Sequence, residues 1–405
     1  MSKEKTLIIG GGQAACQTAT SLKSKKYDGE IKIFCSENYL PYQRPPLSKK
    51  FLMGELDKER LFFKPEKFYT ENEISINLNS FVQRIDIENK EIFLENNKKE
   101  NYDNLVIATG TIPRKIDSEK KISDKVFYLR SIEDVLNIRD KIKESKKVTI
   151  IGGGYIGLEV AAIINNLGLQ VTIVEMASRI LERVTSETIS SFYTKVHRQA
   201  GVEVLTNTSV EGLSENNNGI EVITSNGGII SDFVIVGIGV LPCDTLAFES
   251  GIEVKNGIIV DEFCKTSNDS VFSAGDCTMH PNNFYNKNIR LESVHNAIEQ
   301  GKTVATSIIG EKTAYNQVPW FWSDQYETKL QIVGLLDNYD DIIVRGDKEK
   351  QSFAVFYLKD NAIIASDCIN RPAEHMMSRK LISEKVLIDK DRLLDETIPI
   401  KEVVN

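Results

Sequence analysis

The stretch that decides the fold is VTIIGGGYIGLEVAAIINNLGLQVTIVE, residues Val148–Glu175. An apolar run enters three consecutive glycines, a helical pattern of apolar residues follows, and a second apolar run ends in Glu175. This order predicts a strand, a glycine-rich turn, a helix and a second, parallel strand. The glycines permit a tight turn (Gly152), a close approach of backbone to a diphosphate (Gly154) and close packing of helix on sheet (Gly157).

A nucleotide suits this unit chemically. The N–H groups in the first turn of a helix have no intrahelical acceptor, and the helix dipole favours negative charge there. Glu175 stands at the end of the second strand, where a carboxylate accepts hydrogen bonds from an adenosine ribose. We therefore predict a dinucleotide site that includes Gly152, Gly154, Gly157 and Glu175. The alternative is a glycine-rich connection in an ordinary parallel sheet.

A second copy of the motif opens the chain. The apolar run Thr6–Ile9 enters GGGQAA, a helical pattern follows, and the predicted strand Ile31–Cys35 precedes Glu37. Ala15 takes the place of the third glycine, where only a small side chain is needed. Two fingerprints predict one site for a bound redox cofactor and one for a diffusing nicotinamide, as in a flavin-dependent oxidoreductase. A duplicated domain with one occupied site is the alternative.

Composition limits the class of protein. The chain has 405 residues, 41% hydrophobic and 27% charged, which suggests two or three globular domains. Its net charge of −8 argues against a nucleic-acid partner, because backbone binding needs a basic face. The N-terminal MSKEK runs straight into the first strand without room for a secretory signal, and no apolar run approaches membrane-spanning length. The oligomeric state is left open.

Cysteines and histidines do not form recognisable sets. The six cysteines are scattered and include no C-x-x-C pair, so we predict a reduced, cytoplasmic protein without a disulfide scaffold or zinc ribbon. The four histidines are too dispersed for a metal site and are predicted to be surface or loop residues. They are His197, His280, His295 and His375.

Later segments extend the two units. Phe233–Gly239 is predicted to be a buried strand whose last residues pass a ligand, and Val271–Asp276 a strand that ends in an acid. A helix beginning near Ser293 offers a third set of free N–H groups. Beyond Gly310 the pattern changes to strands and one basic helix, which predicts a separate α+β domain from about Thr313.

Several motifs together resemble one family. GGGQAA, YQRPPLSK, ATG, YLRS, GGGYIGLE, VGIGVLP, AGDC, ESVHNA and PWFWSDQY follow one another in order over nearly the whole chain. They resemble the FAD-dependent NADH:ferredoxin reductases of oxygenase systems, the putidaredoxin reductase and rubredoxin reductase group. The resemblance implies an α/β fold with two Rossmann-like dinucleotide-binding domains, for FAD and NAD, plus a C-terminal α+β domain. The domains would be 1–110 with 241–312 (FAD), 111–240 (NAD) and 313–405.

The resemblance also implies site residues. FAD would be contacted by Gly10, Gly12, Ala14, Ala15, Glu37, Arg44, Lys49, Val82, Ala108, Thr109, Gly110, Arg130, Asp276 and Val294. NADH would be contacted by Gly152, Gly154, Ile156, Gly157, Glu159, Glu175, Gly237, Ile238 and Gly239. Lys49, Glu159 and Trp320 would take part in catalysis. The alternatives are a helix cap for Asp276, a solvated helix residue for Glu159 and a domain-interface core residue for Trp320.

The expected reaction is hydride transfer from NADH to FAD, followed by single-electron transfer to a two-iron two-sulfur ferredoxin that feeds a monooxygenase or dioxygenase. Without a C-x-x-C pair, flavin would be the last carrier in the protein. The ferredoxin would dock on a patch that includes Arg379 and Lys380. NADH is predicted over NADPH because Glu175 would repel a 2′-phosphate, although Arg179 and Arg183 lie nearby.

Other acceptors are open alternatives. They are rubredoxin, a quinone or a small radical, used by a reductase of the same fold. A protein of a different class, a flavoprotein that senses NADH in the manner of apoptosis-inducing factor, is a further alternative.

Overall fold

The structure, a computed structural model, describes residues 3–95, 98–116, 124–216 and 219–404. The chain divides into two compact units. The first comprises Met1–Arg44, Asp57–Ile112 and Leu241–Pro319, and the second comprises Pro45–Leu56, Pro113–Val240 and Trp320–Asn405. The three-domain division remains a prediction.

Helices and strands of modest length make up most of the chain. The α-helices are α1 (Gln13–Ser24), α2 (Lys50–Met53), α3 (Glu66–Glu71), α4 (Ile132–Lys143), α5 (Tyr155–Asn166), α6 (Glu187–Gln199), α7 (Thr245–Glu249), α8 (Val294–Ile308), α9 (Pro372–Ser383) and α10 (Lys390–Leu394). Short 3₁₀ helices are Pro45–Ser48, Lys58–Leu61 and Ile400–Glu402. The strands are β1 (Lys5–Ile9), β2 (Glu30–Phe34), β3 (Ile74–Asn77), β4 (Val82–Asp86), β5 (Glu91–Leu94), β6 (Lys99–Asn101), β7 (Asn104–Ile107), β8 (Thr111–Pro113), β9 (Val126–Tyr128), β10 (Lys147–Ile151), β11 (Gln170–Val174), β12 (Glu203–Leu205), β13 (Val210–Asn216), β14 (Gly219–Thr224), β15 (Gly227–Ser231), β16 (Phe233–Val236), β17 (Val240–Pro242), β18 (Ile258–Ile259), β19 (Val271–Ser273), β20 (Thr278–Asn282), β21 (Lys287–Ile289), β22 (Trp320–Gln325), β23 (Thr328–Gly334), β24 (Asp341–Asp347), β25 (Ser352–Lys359) and β26 (Ala362–Ile369).

The first unit is built on a five-stranded parallel sheet in the order β19-β7-β1-β2-β3. Its central strands are apolar on both faces, as a sheet covered on both sides requires. Helix α1 packs on α8, and the contact is close because Gly301 faces α1: a Cβ there would lie 3.0 Å from the Ala14 carbonyl oxygen. Smaller sheets, β4-β5-β6 and β18-β20-β21, complete the unit.

The second unit contains a matching parallel sheet and an antiparallel one. The parallel sheet has the order β12-β11-β10-β16-β9, and the antiparallel sheet has the order β22-β23-β26-β25-β24. A three-stranded sheet, β13-β14-β15, and helix α9, which packs on β26, complete it. Both Rossmann-like units and the C-terminal sheet were predicted, and the α/β fold class is confirmed.

Two predicted strands end earlier than expected, and several strands were not predicted. The segments at Phe233 and Val271 leave the sheet at Val236 and Ser273, because Gly239 and Gly275 adopt positive φ angles of 104° and 93°. One of them is β22, whose Trp, Phe and Ser residues do not show the alternation of a half-buried strand.

The prediction that the four histidines lie on the surface or in loops is wrong. All four are buried, on helices α6, α8 and α9 and strand β20. Burial lowers the pKa of His197 and lowers that of His280 to about 4, so these imidazoles are neutral at pH 7. The six cysteines are free thiols, and all but Cys243 are buried. Nowhere in the described part of the chain is a helix both long enough and apolar enough to cross a bilayer.

Candidate functional site

The first glycine turn links β1 to α1. Gly10 has φ 135°, and a Cβ on it would lie 2.1 Å from the Ala108 carbonyl oxygen, so this position requires glycine. A Cβ on Gly12 would meet nothing within 4 Å. Gly12 is also the N-cap residue of α1 and provides no side-chain hydrogen bond to the helix. The helix therefore begins beside open space, and a diphosphate of a dinucleotide such as FAD fits there.

The predicted flavin residues Glu37 and Arg44 form a network with Tyr42. Arg44 Nη2 lies 2.5 Å from Glu37 Oε1, and Tyr42 donates a hydrogen bond of 2.5 Å to Glu37 Oε2. Arg44 Nη1 also contacts the Tyr42 hydroxyl. These contacts hold the Glu37 carboxylate beyond the end of β2, where the fingerprint requires an acid.

Other predicted flavin residues of the first unit lie at the ends of elements. Ala108, Thr109 and Gly110 follow β7, and the Thr109 hydroxyl donates to the Cys243 carbonyl oxygen at 2.7 Å. Buried Val82 begins β4, and half-buried Asp276 follows the Gly275 turn. Val294 is the first residue of α8, whose N-cap Ser293 accepts a hydrogen bond from the Asn296 N–H, whereas Asp276 does not cap a helix.

The second glycine turn repeats the first. Gly152 has φ 109°, and a Cβ on it would lie 2.4 Å from the Gly237 carbonyl oxygen; on Gly157 it would lie 2.3 Å from the Gly152 oxygen. A Cβ on Gly154, the N-cap residue of α5, would meet nothing within 4 Å, and α5 also lacks a side-chain cap. A second diphosphate fits here, with half-exposed Ile156 in the first turn of the helix.

Glu175 and the loop after β16 border this second turn. The Glu175 carboxylate accepts hydrogen bonds from the N–H groups of Gly153 at 2.7 Å and Ala177 at 2.8 Å. Ile238 and Gly239 follow β16, and a Cβ on Gly239 would lie 3.9 Å from the Arg183 guanidinium. Arg179, by contrast, donates to the carbonyl oxygens of its own turn.

Lys49 and Glu159 form a largely buried ion pair. The Lys49 Nζ lies 2.7 Å from Glu159 Oε2, and the two side chains are 17% and 5% exposed. Two hydroxyls, of Ser48 at 2.5 Å and Ser323 at 2.7 Å, also donate to the Glu159 carboxylate. Glu159 is therefore not a solvated helix residue. The Glu159 carboxylate accepts hydrogen bonds from three donors, and one of them, the Lys49 ammonium, balances its charge.

Trp320 and Arg379 are in contact. The Arg379 guanidinium lies 5.2 Å from the centre of the half-buried Trp320 ring, and the His375 ring lies 5.6 Å away. Arg379 and Lys380 are exposed on α9. Arg130, the remaining predicted flavin residue, belongs to the second unit and is half-buried before helix α4.

Comparison with known proteins places this geometry in a family. The model of the pyridine nucleotide-disulphide oxidoreductases matches residues 4–301, and the model of the reductase C-terminal domain matches residues 320–404. The chain belongs to the pyridine nucleotide-disulphide oxidoreductase family. It is an FAD-dependent oxidoreductase that uses a pyridine nucleotide, as the two fingerprints predict.

Individual relatives narrow the group. The chain is 38% identical to a ferredoxin–NAD(P)(+) reductase of a Sphingomonas species, over 98% of this chain and 96% of the relative. It is 38% identical to rubredoxin–NAD(+) reductase of Ectopseudomonas oleovorans, over 90% and 96%. The reductase in the crystal structure of the covalent putidaredoxin reductase–putidaredoxin complex superposes with a TM-score of 0.96, at 35% identity over 100% of this chain and 98% of that one. The resemblance predicted from the motifs is confirmed.

Sequence reasoning missed Gln300, a buried residue of α8 in this flavoprotein. Gln300 Oε1 accepts from the Gly275 N–H at 2.7 Å and from Asn296 Nδ2 at 3.3 Å, and the Thr278 hydroxyl lies 2.9 Å away. Gln300 thus joins the turn that carries Asp276 to the first turn of α8. Gln300 lies two turns inside an amphipathic helix, and no motif or spacing in the sequence distinguishes it from a solvent-facing glutamine.

Ser48 and Ser323, the hydroxyl partners of Glu159, were also missed. Both stand inside motifs that carried the resemblance, YQRPPLSK and PWFWSDQY. A single serine produces no sequence pattern that indicates its partner. The contact of both motifs with the Glu159 carboxylate is therefore visible only in the structure.

Proposed function

We propose that the protein is an NADH:ferredoxin oxidoreductase that delivers electrons singly to a two-iron two-sulfur ferredoxin, which in turn feeds a monooxygenase or dioxygenase. The observation that carries the proposal is the pair of uncapped, glycine-fronted helices in a chain without a C-x-x-C pair. One such site suits FAD and the other NADH. Bound FAD supplies the conversion between two-electron hydride transfer and one-electron transfer.

The chain's residues bind and orient the two dinucleotides. In the FAD site, α1 receives the diphosphate and Glu37 the adenosine ribose, while Asp276, Val294 and the other predicted flavin residues contact the remaining parts. In the NADH site, α5 receives the diphosphate and Glu175 the ribose. This positioning is the main contribution of the protein, because hydride transfer needs no general acid or base.

The Lys49–Glu159 pair contributes charge to the reaction. Three donors fix the Glu159 carboxylate, and the carboxylate in turn holds the Lys49 ammonium in one place. An ammonium fixed in this way would stabilise negative charge on a bound cofactor. Trp320, beside Arg379, would help to form the face on which the ferredoxin docks.

The ferredoxin docks on the patch of Arg379 and Lys380. Both are exposed on α9, and the exposed Met376 lies one turn before them. A small iron–sulfur protein of acidic surface would be steered by these cations. Rubredoxin is the second candidate acceptor. A rubredoxin reductase has the same identity to this chain, 38%, as the ferredoxin reductase, but the match covers 90% of this chain rather than 98%. We place the enzyme in the cytoplasm, in keeping with its six free thiols.

NADH is preferred over NADPH because the Glu175 carboxylate would repel a 2′-phosphate. Glu175→Gln keeps the shape and one acceptor for the Gly153 N–H, and it is expected to raise the NADPH-to-NADH ratio of kcat/KM about tenfold. Comparable kcat/KM values for both nucleotides in the unmodified enzyme would contradict the preference.

The test of the function is an anaerobic titration of the purified holoenzyme with NADH. If flavin is the last carrier, one NADH per flavin bleaches the flavin absorbance completely. A requirement for two NADH per flavin would reveal a second two-electron group and would contradict the proposal.

A further inference from the structure

Asp367 is a buried carboxylate with hydroxyl partners. It lies on β26 and is 1% exposed. Its Oδ2 accepts hydrogen bonds from the Thr185 hydroxyl at 2.5 Å and from the Tyr357 hydroxyl at 2.6 Å. No lysine or arginine in the described part of the chain forms an ion pair with it. A buried charge of this kind is costly, and one of its two donors, Thr185, ties it to a segment 182 residues away.

Ser186 extends the contact. The Tyr357 and Ser186 hydroxyl oxygens are 2.8 Å apart, and because a phenol has a single hydrogen, Tyr357 donates to Asp367 while Ser186 donates to Tyr357. Ser186 is the N-cap residue of α6, yet its side chain makes no capping bond. The two residues Thr185 and Ser186 therefore both direct their hydroxyls toward what we call the Asp367 cluster: Asp367, Tyr357, Thr185 and Ser186.

The middle of the same turn contacts the glycine motif. The turn, residues 176–186, follows Glu175, and its Leu181 N–H donates to the Gly153 carbonyl oxygen at 2.9 Å. Ile180 packs so closely that a Cβ on Gly153 would lie 2.8 Å from its Cγ2. Arg179 donates to the Thr185 carbonyl oxygen at 2.9 Å. This bond connects Thr185 to the part of the turn that lies beside Gly153.

We propose that Asp367 is a positioning residue for the pyridine nucleotide: by holding Thr185 it fixes the 176–186 turn against the glycine motif in the conformation that binds the adenosine diphosphate half. The inference rests on the proposed NADH site at Gly152–Gly157 and Glu175. It assigns to the C-terminal sheet a part in nucleotide binding.

Charge on Asp367 strengthens the two hydrogen bonds. Burial raises the pKa of Asp367 to about 6. The titratable groups that face it are Tyr155 of α5, Tyr193 of α6, Tyr357 of β25 and the neighbouring Cys368, and burial raises the pKa of each. Among these groups only Asp367 changes charge between pH 5.5 and 7.5, so nucleotide affinity falls as the pH falls through about 6.

The experiment uses ADP-ribose, which carries the adenosine ribose and diphosphate but accepts no hydride. Its dissociation constant from the holoenzyme is measured by calorimetry, together with kcat and KM for NADH. Thr185→Val, which is nearly isosteric, is expected to raise both Kd and KM about three- to tenfold, with kcat at saturating NADH and flavin content unchanged. Thr328→Val removes an equally buried hydroxyl of the same unit and is expected to change neither.

Asp367→Asn separates binding from folding. Without the buried charge, its Tm at pH 7.5 is expected to be no lower than that of the unmodified enzyme, while its Kd for ADP-ribose matches the higher value of that enzyme at pH 5.5 and no longer varies with pH. Unchanged Kd values in both Thr185→Val and Asp367→Asn would overturn the proposal. If the unmodified enzyme itself does not bind ADP-ribose, the nucleotide site is wrong, and the role of Asp367 is wrong with it.

Discussion

Lys49 and Lys50 are adjacent in the sequence but have different surroundings. Substitution of Lys50 is therefore a matched control for substitution of Lys49. Lys49 is paired with Glu159, whereas Lys50 is an exposed first residue of α2. We expect Lys49→Met to slow reduction of bound flavin by NADH at least tenfold, about 1.4 kcal/mol of barrier, because a fixed positive charge is removed. Lys50→Met should reduce flavin at the unmodified rate. Stopped-flow absorbance measures both, and equal rates for the two variants would rule out the assigned role of Lys49.

At this scale the sequence predicted single residues but not their partners. Lys49 and Glu159 were both identified as site residues from their motifs, yet they are 110 residues apart and nothing in their spacing indicates an ion pair. Burial of the histidines was missed because an imidazole on a helix or a strand gives the same sequence pattern whether it faces water or the core. Whether the imidazole is buried depends on which helices and strands pack against it.

The two glycine-fronted helices predict different losses from the same substitution. Gly12→Ala adds a methyl group in open space at the start of α1, so the apoprotein should fold while flavin content of the purified protein falls sharply. Gly154→Ala should retain flavin and raise KM for NADH instead. Absorbance at purification and steady-state kinetics distinguish the two.

Gly157→Ala is the control for these substitutions. Its Cβ would lie 2.3 Å from the Gly152 carbonyl oxygen, so it should destabilise the fold and lower Tm rather than affect one ligand. Normal flavin content in Gly12→Ala together with a normal KM for NADH in Gly154→Ala would contradict the assignment of both sites.

We propose that the ferredoxin-docking patch lies on helix α9. Charge reversal by Arg379→Glu with Lys380→Glu should lower the rate of ferredoxin reduction at low ionic strength about tenfold, with NADH-driven reduction of ferricyanide unchanged. The deficit should shrink as salt is added, because exposed charges are screened. Lys146→Glu with Lys147→Glu reverses an adjacent exposed pair at the start of β10 and serves as control. A ferredoxin rate that is unaffected by the α9 reversal would show that docking occurs elsewhere.

The whole molecule should be less stable in acid because of its buried histidines. Burial lowers the folded-state pKa of His280 and His375 to about 4, below the unfolded value of 6.5. The unfolded chain therefore binds more protons between pH 6.5 and 4, and stability is lost as pH falls through that window. For His280 alone the loss approaches about 3 kcal/mol by pH 4.

The measurement is Tm as a function of pH, with His280→Gln compared with the unmodified protein. The variant should show a shallower fall of Tm below pH 6.5. Parallel Tm curves for the two proteins would mean that His280 is protonated without penalty in the folded state.

On the scale of the whole chain, two glycine fingerprints were sufficient to predict both parallel sheets, because strand, turn, helix and strand follow within about thirty residues. The C-terminal sheet was predicted only in part. Its first strand begins at Trp320 in a segment without alternation. Its strands lie side by side in the order β22-β23-β26-β25-β24, which differs from their order in the sequence and which local pattern does not encode. Long-range contacts such as that of Thr185 with Asp367 depend on that topology and could not be predicted from the sequence.

The central claim is that this flavoprotein passes electrons singly to an iron–sulfur partner. Its most direct test is NADH-driven reduction of cytochrome c by the purified holoenzyme, with and without an added two-iron two-sulfur ferredoxin. We predict strong stimulation by the ferredoxin. No stimulation by several such ferredoxins, with brisk activity toward rubredoxin or a quinone instead, would contradict the claim while leaving both nucleotide sites in place.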